Sequence, residues 1–189
     1  MIAGLTVTLG IPTLDRGAYL LQTIQEVFKQ ENPNLLEIIV VDQTPLGRVP
    51  ENVSEQLHTL HREGKIHWIR TSSPGLTAAR NRIIQESSGD IILFIDDDVL
   101  LPEGFIEHHR ANYAVYGGVA AIAGPVYHRK TEDISSLTTQ HPLRGTGEHF
   151  TGRNPGRFVE DWMEIMVGCN HSIRRVSAIR VGGYDEGIV

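Results

Sequence analysis

The sequence predicts an α/β fold, with an open, mostly parallel, twisted sheet and helices on both faces. Apolar segments of strand length alternate with segments in which apolar residues recur at helical spacing. The stretch between one predicted strand and the next is long enough for a helix, and helical crossovers join parallel strands. The most apolar strand, residues 90–95, leads directly into Asp96, Asp97 and Asp98. In such sheets, ligands bind at the carboxyl ends of the strands.

Each element of this fold has its own signal. A β-rich segment stops at Pro12, and Leu20, Ile24 and Val27 then recur at the spacing of one helix face. Pro50 suits the start of the second helix. The predicted strands are residues 5–11, 35–41, 65–70, 90–95 and 119–126. Helices are predicted around residues 20–28, over 50–64 and 77–86, after Pro102, and over 176–181, where a glycine pair ends the last one.

Residues 127–158 interrupt the pattern. The segment is polar, rich in glycine and without periodicity, and an insertion of this length is usually either a functional loop or a disordered one. It is also the most basic part of the chain. We expect order to return over residues 159–167. The basic residues of the segment are Arg129, Lys130, Arg144, Arg153 and Arg157.

The composition limits the class of protein. The chain has 189 residues, enough for one domain with a substantial core, and its net charge of −6 argues against nucleic acid as a partner. Cys169 is the only cysteine, so an internal disulfide is impossible and a reducing compartment fits. No secretory signal is visible, and no apolar run approaches the roughly 20 residues of a transmembrane helix. We expect a cytoplasmic protein without a transmembrane segment, with peripheral association at the inner face of the membrane as an alternative.

The three consecutive carboxylates are the most informative feature of the chain. Like charges crowded at a strand end raise one another's pKa, and a bound divalent cation removes that cost. Mg²⁺ is commonly held by one or two carboxylates together with substrate phosphates, and Mn²⁺ prefers similar oxygen ligands. The competing interpretation is a solvated acidic turn. Because the preceding strand is apolar enough to be central, the sequence favours a metal site at this acidic triplet.

Three further loops should meet the acidic residues at the same edge of the sheet. Each has an ordinary structural explanation: Asp15 as a helix cap, Asp42 as a turn residue, Arg80 on a solvated helix face. Their shared position after neighbouring strands favours a binding site, where a nucleotide would lie. The residues placed there are Pro12, Thr13, Asp15, Asp42, Arg80, Asn81, Asp96 and Asp97.

Six short blocks of sequence resemble family 2 glycosyltransferases. They read I-P-T at 11–13, E-I-I-V-V-D at 37–42, G-L-T-A-A-R-N at 75–81 and G-D-I-I-L-F-I-D-D-D at 89–98, then G-C-N-H-S-I-R-R at 168–175 and V-G-G-Y-D-E at 181–186. The blocks lie in the order that the family has. They cover most of the chain apart from the 127–158 segment.

The resemblance implies a GT-A fold and a metal-assisted transfer of sugar, with inversion, from a nucleotide-diphosphate sugar to a hydroxyl acceptor. It implies Mn²⁺ or Mg²⁺ as cofactor, a carbohydrate or lipid-linked acceptor, and a role in polysaccharide biosynthesis. One GT-A domain would span 1–189, with 1–101 holding the nucleotide sugar and 102–189 on the acceptor side. By the same resemblance Asp96 and Asp98 are the outer acids of a D-x-D motif, Asp98 being the direct metal ligand. Gly168, Cys169 and Asn170 line the sugar or acceptor pocket.

By resemblance, Asp42 contacts the nucleotide base, and Arg80 lies near the sugar-phosphate. An ionised carboxylate only accepts hydrogen bonds, so Asp42 can take the ring N–H of uracil, thymine or guanine. Cytosine offers only an acceptor at that position. The donor is therefore expected to be a UDP-, dTDP- or GDP-sugar rather than a CMP-sugar. The continuation V-D-Q-T-P at 41–45 departs from the family's more usual acidic or Gly-Ser sequence.

The catalytic base is left open. In the family an acidic pair follows the G-G-Y-D-E block, and the sequence ends at Val189 before any such pair. Glu160 and Asp161 precede the G-C-N block, and Asp185 belongs to G-G-Y-D-E itself, so these three stay candidates without assignment. One alternative is therefore a catalytically incomplete nucleotide-binding fragment. Another is a sugar-nucleotidyltransferase, which would require a glycine-rich phosphate loop after the first strand, where this chain has P-T-L-D.

Overall fold

A computed structural model describes residues 4–126 and 168–187. These residues form five helices and six strands, which alternate along the chain as far as β5. The strands are β1 (Val7–Thr13), β2 (Leu35–Asp42), β3 (His67–Arg70), β4 (Ile91–Ile95), β5 (Ala121–Ala123) and β6 (Asn170–Arg174). The helices are α1 (Gly17–Phe28), α2 (Glu51–Arg62), α3 (Leu76–Glu86), α4 (Phe105–Val115) and α5 (Arg175–Val181).

The strands form one sheet in the order β3-β2-β1-β4-β6-β5. The first four are parallel to one another, β6 runs antiparallel to β4, and β5 runs antiparallel to β6. The expected open, mostly parallel sheet is therefore confirmed. Three details differ from the sequence prediction: β1 continues through Pro12 to Thr13, the strand expected over 119–126 is only Ala121–Ala123, and Asn170–Arg174 was not predicted as a strand.

Helices cover both faces of the sheet, as predicted. Alternate residues of the central strands, such as Leu9 and Leu93, pack into one core with α1, α2 and α4. The intervening residues, such as Ile39 and Phe94, pack into a second core with α3 and α5. This alternation follows from the pleat of a strand, whose successive side chains point to opposite faces. Because both faces are covered, the central strands are rich in apolar residues on both faces.

The close approach of α3 to the sheet depends on Gly10. A Cβ at this position would lie 2.6 Å from Cγ2 of Ile83, closer than two carbon atoms can pack. The absence of a side chain on β1 therefore lets α3 lie directly on the strand. The contact between Gly10 and Ile83 brings α3 close to the sheet, and Arg80 on the same helix lies near Asp96 at the end of β4.

Some predicted features lie outside the described residues. These are the 127–158 segment, the order expected over 159–167, and the candidate bases Glu160 and Asp161. Among the residues that are described, none of the helices is both long and apolar enough to cross a lipid bilayer.

Candidate active site

The three acidic residues after β4 differ sharply in their surroundings. Asp97 is buried at 4% exposure, while Asp96 is half-buried and Asp98 is exposed. Asp97 Oδ2 accepts a hydrogen bond from Thr13 Oγ1 at the end of β1. Its backbone carbonyl accepts another from Thr23 Oγ1 on α1, at 2.9 Å. The middle acid is therefore tied into the structure, and the outer two remain at the surface of the site.

Arg16 lies against this cluster, although no pattern in the sequence singled it out. Its Nη1 atom is 2.6 Å from Asp98 Oδ2 and 3.2 Å from Asp97 Oδ1. These carboxylates raise the pKa of Arg16, chiefly through the hydrogen bond to Asp97 and the charge of Asp98. The guanidinium also lies 5.8 Å from the ring centre of Tyr19. Arg16 thus neutralises part of the negative charge at the end of β4.

The pKa of Asp96 is raised above its ordinary value. Burial is the main cause that raises its pKa, and the charges of Asp98 and Asp97 raise it further. Arg80 opposes this shift. A raised pKa means that the charged form is under-compensated, which is the condition that a bound cation relieves.

The donor set fits a divalent cation that also binds phosphate. Within residues 4–126 and 168–187, no cluster of three or more His, Cys, Asp or Glu side chains is arranged to hold a metal. Asp96 and Asp98 as the two carboxylate ligands of a metal stay a prediction. Mg²⁺ typically takes one or two carboxylates and completes its shell with water and substrate phosphates. The residues present match that arrangement rather than a closed all-protein site.

Arg80 is a buried cation, not the solvated helix residue of the ordinary explanation. It is 8% exposed, and its Nη2 donates to the carbonyl oxygen of Gly168 at 3.0 Å. The guanidinium lies 5.5 Å from the ring centre of Tyr184. Its Nε atom is buried and has no hydrogen-bond partner within the described residues. Arg80 therefore brings a positive charge with unused donor capacity to the neighbourhood of Asp96.

Asn81, the next residue on α3, holds the C-terminal segment in place. Its Nδ2 donates to the carbonyl oxygen of Tyr184 at 2.9 Å and to Glu186 Oε1 at 2.7 Å. Its Oδ1 accepts from the Tyr184 backbone N–H at 2.7 Å. The nearby Asp185 accepts from the backbone N–H of Gly187 and is exposed. Both ends of the Asn81 amide are thus occupied within the chain, so a contact with donor sugar stays a prediction.

The loop after β2 is built around Asp42. This residue is 2% exposed, with Oδ1 accepting from the Thr44 backbone N–H at 2.9 Å and Oδ2 from Trp68 Nε1 at 3.3 Å. Gln43 Nε2 donates to the carbonyl oxygens of Ser73 and Gly75, which joins this loop to the start of α3. The Asp42 side chain therefore stabilises the turn in which it lies, as expected of a turn residue. Its contact with a nucleotide base stays a prediction.

The loop after β1 carries Asp15, which does not cap α1. Its backbone is left-handed, with φ of 58°, and its Oδ2 pairs with Arg48 Nη1 at 3.0 Å. The cap position is Arg16, which makes no side-chain capping bond. Pro12 and Thr13 are buried at the end of β1, where the Thr13 carbonyl oxygen accepts from the Gln43 backbone N–H. These contacts hold the loops after β1 and β2 together.

The predicted pocket residues Gly168, Cys169 and Asn170 do lie beside the acidic cluster. Antiparallel pairing sets Asn170 opposite Ile95, the residue before Asp96. Burial raises the pKa of the Cys169 thiol, and the charge of Asp96 raises it further. A Cβ on Gly168 would lie 2.4 Å from Arg80 Nη2.

Asn170 belongs to a buried polar chain that the sequence did not reveal. His109 on α4 contacts Asn170 Oδ1 through Nε2 at 2.8 Å and Ser172 Oγ through Nδ1 at 2.9 Å. Tyr113 OH lies 3.1 Å from Ser172 Oγ. Burial lowers the pKa of His109 to about 4, so the ring is neutral. A signal was available: His109 follows Phe105 by four residues, on the same helix face.

The chain belongs to glycosyl transferase family 2, whose profile matches residues 8–182. A curated relative, an uncharacterized glycosyltransferase of Rickettsia bellii, is 30% identical over 90 residues. That match covers 48% of this chain and 12% of the relative.

Solved structures of glycosyltransferases share the fold, which is therefore GT-A. The mannosyltransferase PcManGT of Pyrobaculum calidifontis, in complex with GDP-Man and Mn²⁺, matches 98% of this chain with a TM-score of 0.65 and 17% identity. GalNAc-T7 with UDP, GalNAc and Mn²⁺ also matches 98%, with a TM-score of 0.65 and 18% identity. This chain covers 49% and 37% of those two chains.

Proposed function

We propose that this chain transfers a sugar, with inversion, from a nucleotide-diphosphate donor to a hydroxyl group, assisted by Mn²⁺ or Mg²⁺. The donor is a UDP-, dTDP- or GDP-sugar, and the acceptor is a carbohydrate or a lipid-linked saccharide. The proposal places the reaction in the cytoplasm, with peripheral association at the inner face of the membrane when the acceptor is lipid-linked. Residues 1–101 hold the donor, and residues 102–189 face the acceptor.

One observation carries the proposal: two outer carboxylates and a buried arginine meet at the carboxyl end of the central strand β4. Asp96 and Asp98 lie on either side of the buried, hydrogen-bonded Asp97. The charge of Arg80 partly offsets the rise that burial causes in the pKa of Asp96. A site that presents both charges together suits a cation–diphosphate complex, because the metal needs carboxylates and the phosphates need donors. The solved structures of similar fold contain UDP or GDP-Man together with Mn²⁺.

The residues divide the work of binding and leaving-group stabilisation. Asp96 and Asp98 would hold the cation, which would supply Lewis-acid neutralisation of the diphosphate. Arg80 is a fixed cation whose buried Nε has no hydrogen-bond partner among the described residues, and its charge stabilises the leaving phosphate without reorganising. Pro12, Thr13, Asp15, Asp42, Asn81 and Asp97 form the walls and loops of the donor site. Gly168, Cys169 and Asn170 bound the sugar.

The general base is an acidic side chain on the acceptor side of the site. Asp185 is the candidate within the described residues, and it spends one oxygen on the Gly187 backbone N–H. Glu160 and Asp161 are the other two candidates. General base catalysis typically contributes about 10²–10⁴-fold, so a variant that loses transfer by this factor while keeping donor binding identifies the residue.

Calorimetric titration tests the donor half of the proposal. UDP, dTDP and GDP are titrated into the chain with Mn²⁺, with Mg²⁺ and with EDTA. We expect binding of at least one nucleotide to require the metal, and Asp98→Asn to abolish the metal effect. Equal affinity in EDTA and in Mn²⁺ for all three nucleotides would refute the proposal.

The matched control is Glu86→Gln. Glu86 is a partly exposed acid that pairs with Arg82 at 2.7 Å, much as Asp98 pairs with Arg16 at 2.6 Å. It lies at the C-terminal end of α3, away from the end of β4. Nucleotide binding by this variant should keep its dependence on metal.

A further inference from the structure

The contact between Arg16 and the acidic cluster has a fixed end and an exchangeable end. The fixed end is Asp97, whose side chain is 6% exposed and whose second oxygen is occupied by Thr13. The exchangeable end is Asp98, whose side chain is 37% exposed. The Arg16 side chain is itself 50% exposed. Loss of the Asp98 contact would therefore leave Arg16 attached to the cluster through Asp97.

A divalent cation and Arg16 both require the Asp98 carboxylate. The guanidinium Nη1 lies 2.6 Å from Oδ2, which is the distance of a strong charge-assisted hydrogen bond. A metal that coordinates Asp98 meets the full positive charge of Arg16 beside it, and like charges at this range repel. Metal binding must therefore weaken or displace the Arg16–Asp98 contact.

A displaced Arg16 has a replacement partner in the donor. The guanidinium carries five N–H donors and no acceptor, and its planar fork matches phosphate oxygens. Asp97 and the ring of Tyr19 hold it at the edge of the sheet where the acidic residues lie. A diphosphate that arrives with the metal satisfies the donors that Asp98 releases.

We infer that Arg16 is a tethered competitor for the metal site that becomes a phosphate ligand when the metal and the nucleotide bind together. This inference rests on the proposed function and adds a specific consequence to it. Arg16 opposes binding of metal alone and favours binding of the metal–nucleotide pair. The two ligands are therefore coupled through one side chain, and each increases the affinity for the other by the same factor.

Removal of Arg16 should change the two affinities in opposite directions. We expect Arg16→Gln to bind Mn²⁺ alone about three- to tenfold more tightly, the range that an exposed ion pair and one nearby charge supply. The same variant should bind UDP, in saturating Mn²⁺, about ten- to hundredfold more weakly, since one charged phosphate contact is lost. Calorimetric titration of the 189-residue chain measures both constants. GDP replaces UDP if it is the nucleotide that the wild-type chain prefers.

Two further variants show whether the effects come from the charge of Arg16 or from a general effect of losing a surface arginine. Arg82→Gln is the matched control, because Arg82 is 48% exposed and pairs with Glu86 at 2.7 Å, and it should leave both constants unchanged. Arg16→Lys keeps the charge and should keep weak binding of Mn²⁺ alone, while it restores only part of the UDP affinity. Thermal unfolding without ligand shows whether each variant is folded.

The outcomes distinguish this inference from the proposed function. Opposite shifts in Arg16→Gln support the inference. If the wild-type chain binds UDP only with Mn²⁺ and Arg16→Gln leaves both constants unchanged, the role of Arg16 is wrong and the proposed function stands. If Arg16→Gln binds Mn²⁺ without nucleotide and the wild-type chain does not, the competition between Arg16 and the metal is supported in its strongest form. If neither protein binds Mn²⁺ with or without nucleotide, both ideas are overturned.

Discussion

His109 Nε2 lies 2.8 Å from Asn170 Oδ1, and this contact joins α4 to the first residue of β6. Asn170 Nδ2 donates to the Pro125 carbonyl oxygen at 2.8 Å, so Oδ1 is the acceptor that faces the imidazole. The ring proton is therefore on Nε2, and Nδ1 accepts from Ser172 Oγ. One neutral histidine thus sets the orientation of Asn170, which holds Pro125 on one side and lies beside Cys169 on the other.

His109 should make stability depend on pH. The folded chain keeps the ring neutral down to its lowered pKa of about 4, whereas an unfolded chain takes up a proton near 6.5. Between these values the unfolded state binds more protons, so stability falls as pH falls, by about 1.4 kcal/mol per pH unit. Urea unfolding at several pH values should show this slope reduced in His109→Gln. The exposed His67→Gln is the control, and an unchanged slope in His109→Gln would contradict the assignment.

Asp97→Asn and Asp98→Asn should lower the free energy of unfolding by different amounts. Asp97→Asn removes charge from a buried side chain that Thr13 and Arg16 both contact, and we expect a loss of about 1–3 kcal/mol in the free energy of unfolding. Asp98→Asn breaks an exposed pair and should cost less than about 1 kcal/mol. Urea unfolding measures the two effects, and equal losses would mean that the acids are not divided in this way.

Gly168 should be required for the position of Arg80. An alanine Cβ there would lie 2.4 Å from Arg80 Nη2, so the guanidinium must leave the Gly168 carbonyl oxygen. We expect Gly168→Ala to weaken metal-dependent UDP binding by about 1 kcal/mol, the usual value of one hydrogen bond. The control is Gly117→Ala, whose Cβ would meet no atom of the other described residues within 4 Å, its two chain neighbours apart. If both variants bind UDP as the wild type does, Arg80 does not depend on this glycine.

Cys169 offers a chemical probe of the site. Burial and the charge of Asp96 raise the pKa of its thiol, so alkylation by iodoacetamide at neutral pH should be slower than that of a free cysteine. Asp96→Asn removes the nearby negative charge and should accelerate the reaction. Because Cys169 is the only cysteine, mass spectrometry follows its modification directly. A rate that does not respond to Asp96→Asn would show that burial alone controls the thiol.

The sequence predicted the parallel part of the sheet because β1, β2 and β4 are rich in apolar residues, and β1 and β4 are buried along their whole length. It did not predict β6, where Asn170, His171 and Ser172 are polar yet buried. These side chains form hydrogen bonds with His109 and Tyr184, which approach from α4 and from the segment after α5. A strand whose burial depends on such partners has no apolar pattern of its own.

The same reason limited what the sequence revealed about the site. The family resemblance sets Asp96 and Asp98 apart as the outer acids, but the division between a buried, hydrogen-bonded Asp97 and two more exposed acids has no signal in the sequence. That division depends on Thr13 and Arg16, which lie 84 and 81 residues before Asp97 in the chain. Arg16 itself was missed because a single arginine after a strand carries no periodic signal. Contacts made only by the tertiary fold decided both points.

The two outermost strands of the sheet have a consequence for solubility. β3 has four residues and β5 has three, whereas β1 and β2 in the interior have seven and eight. An exposed strand edge is a template on which another chain can add, and natural proteins often keep such edges short. The longer strands β1 and β2, whose edges could pair with another chain, lie between the short strands β3 and β5. Among the described residues, the sheet is thus protected against edge-to-edge growth by the lengths of its own strands.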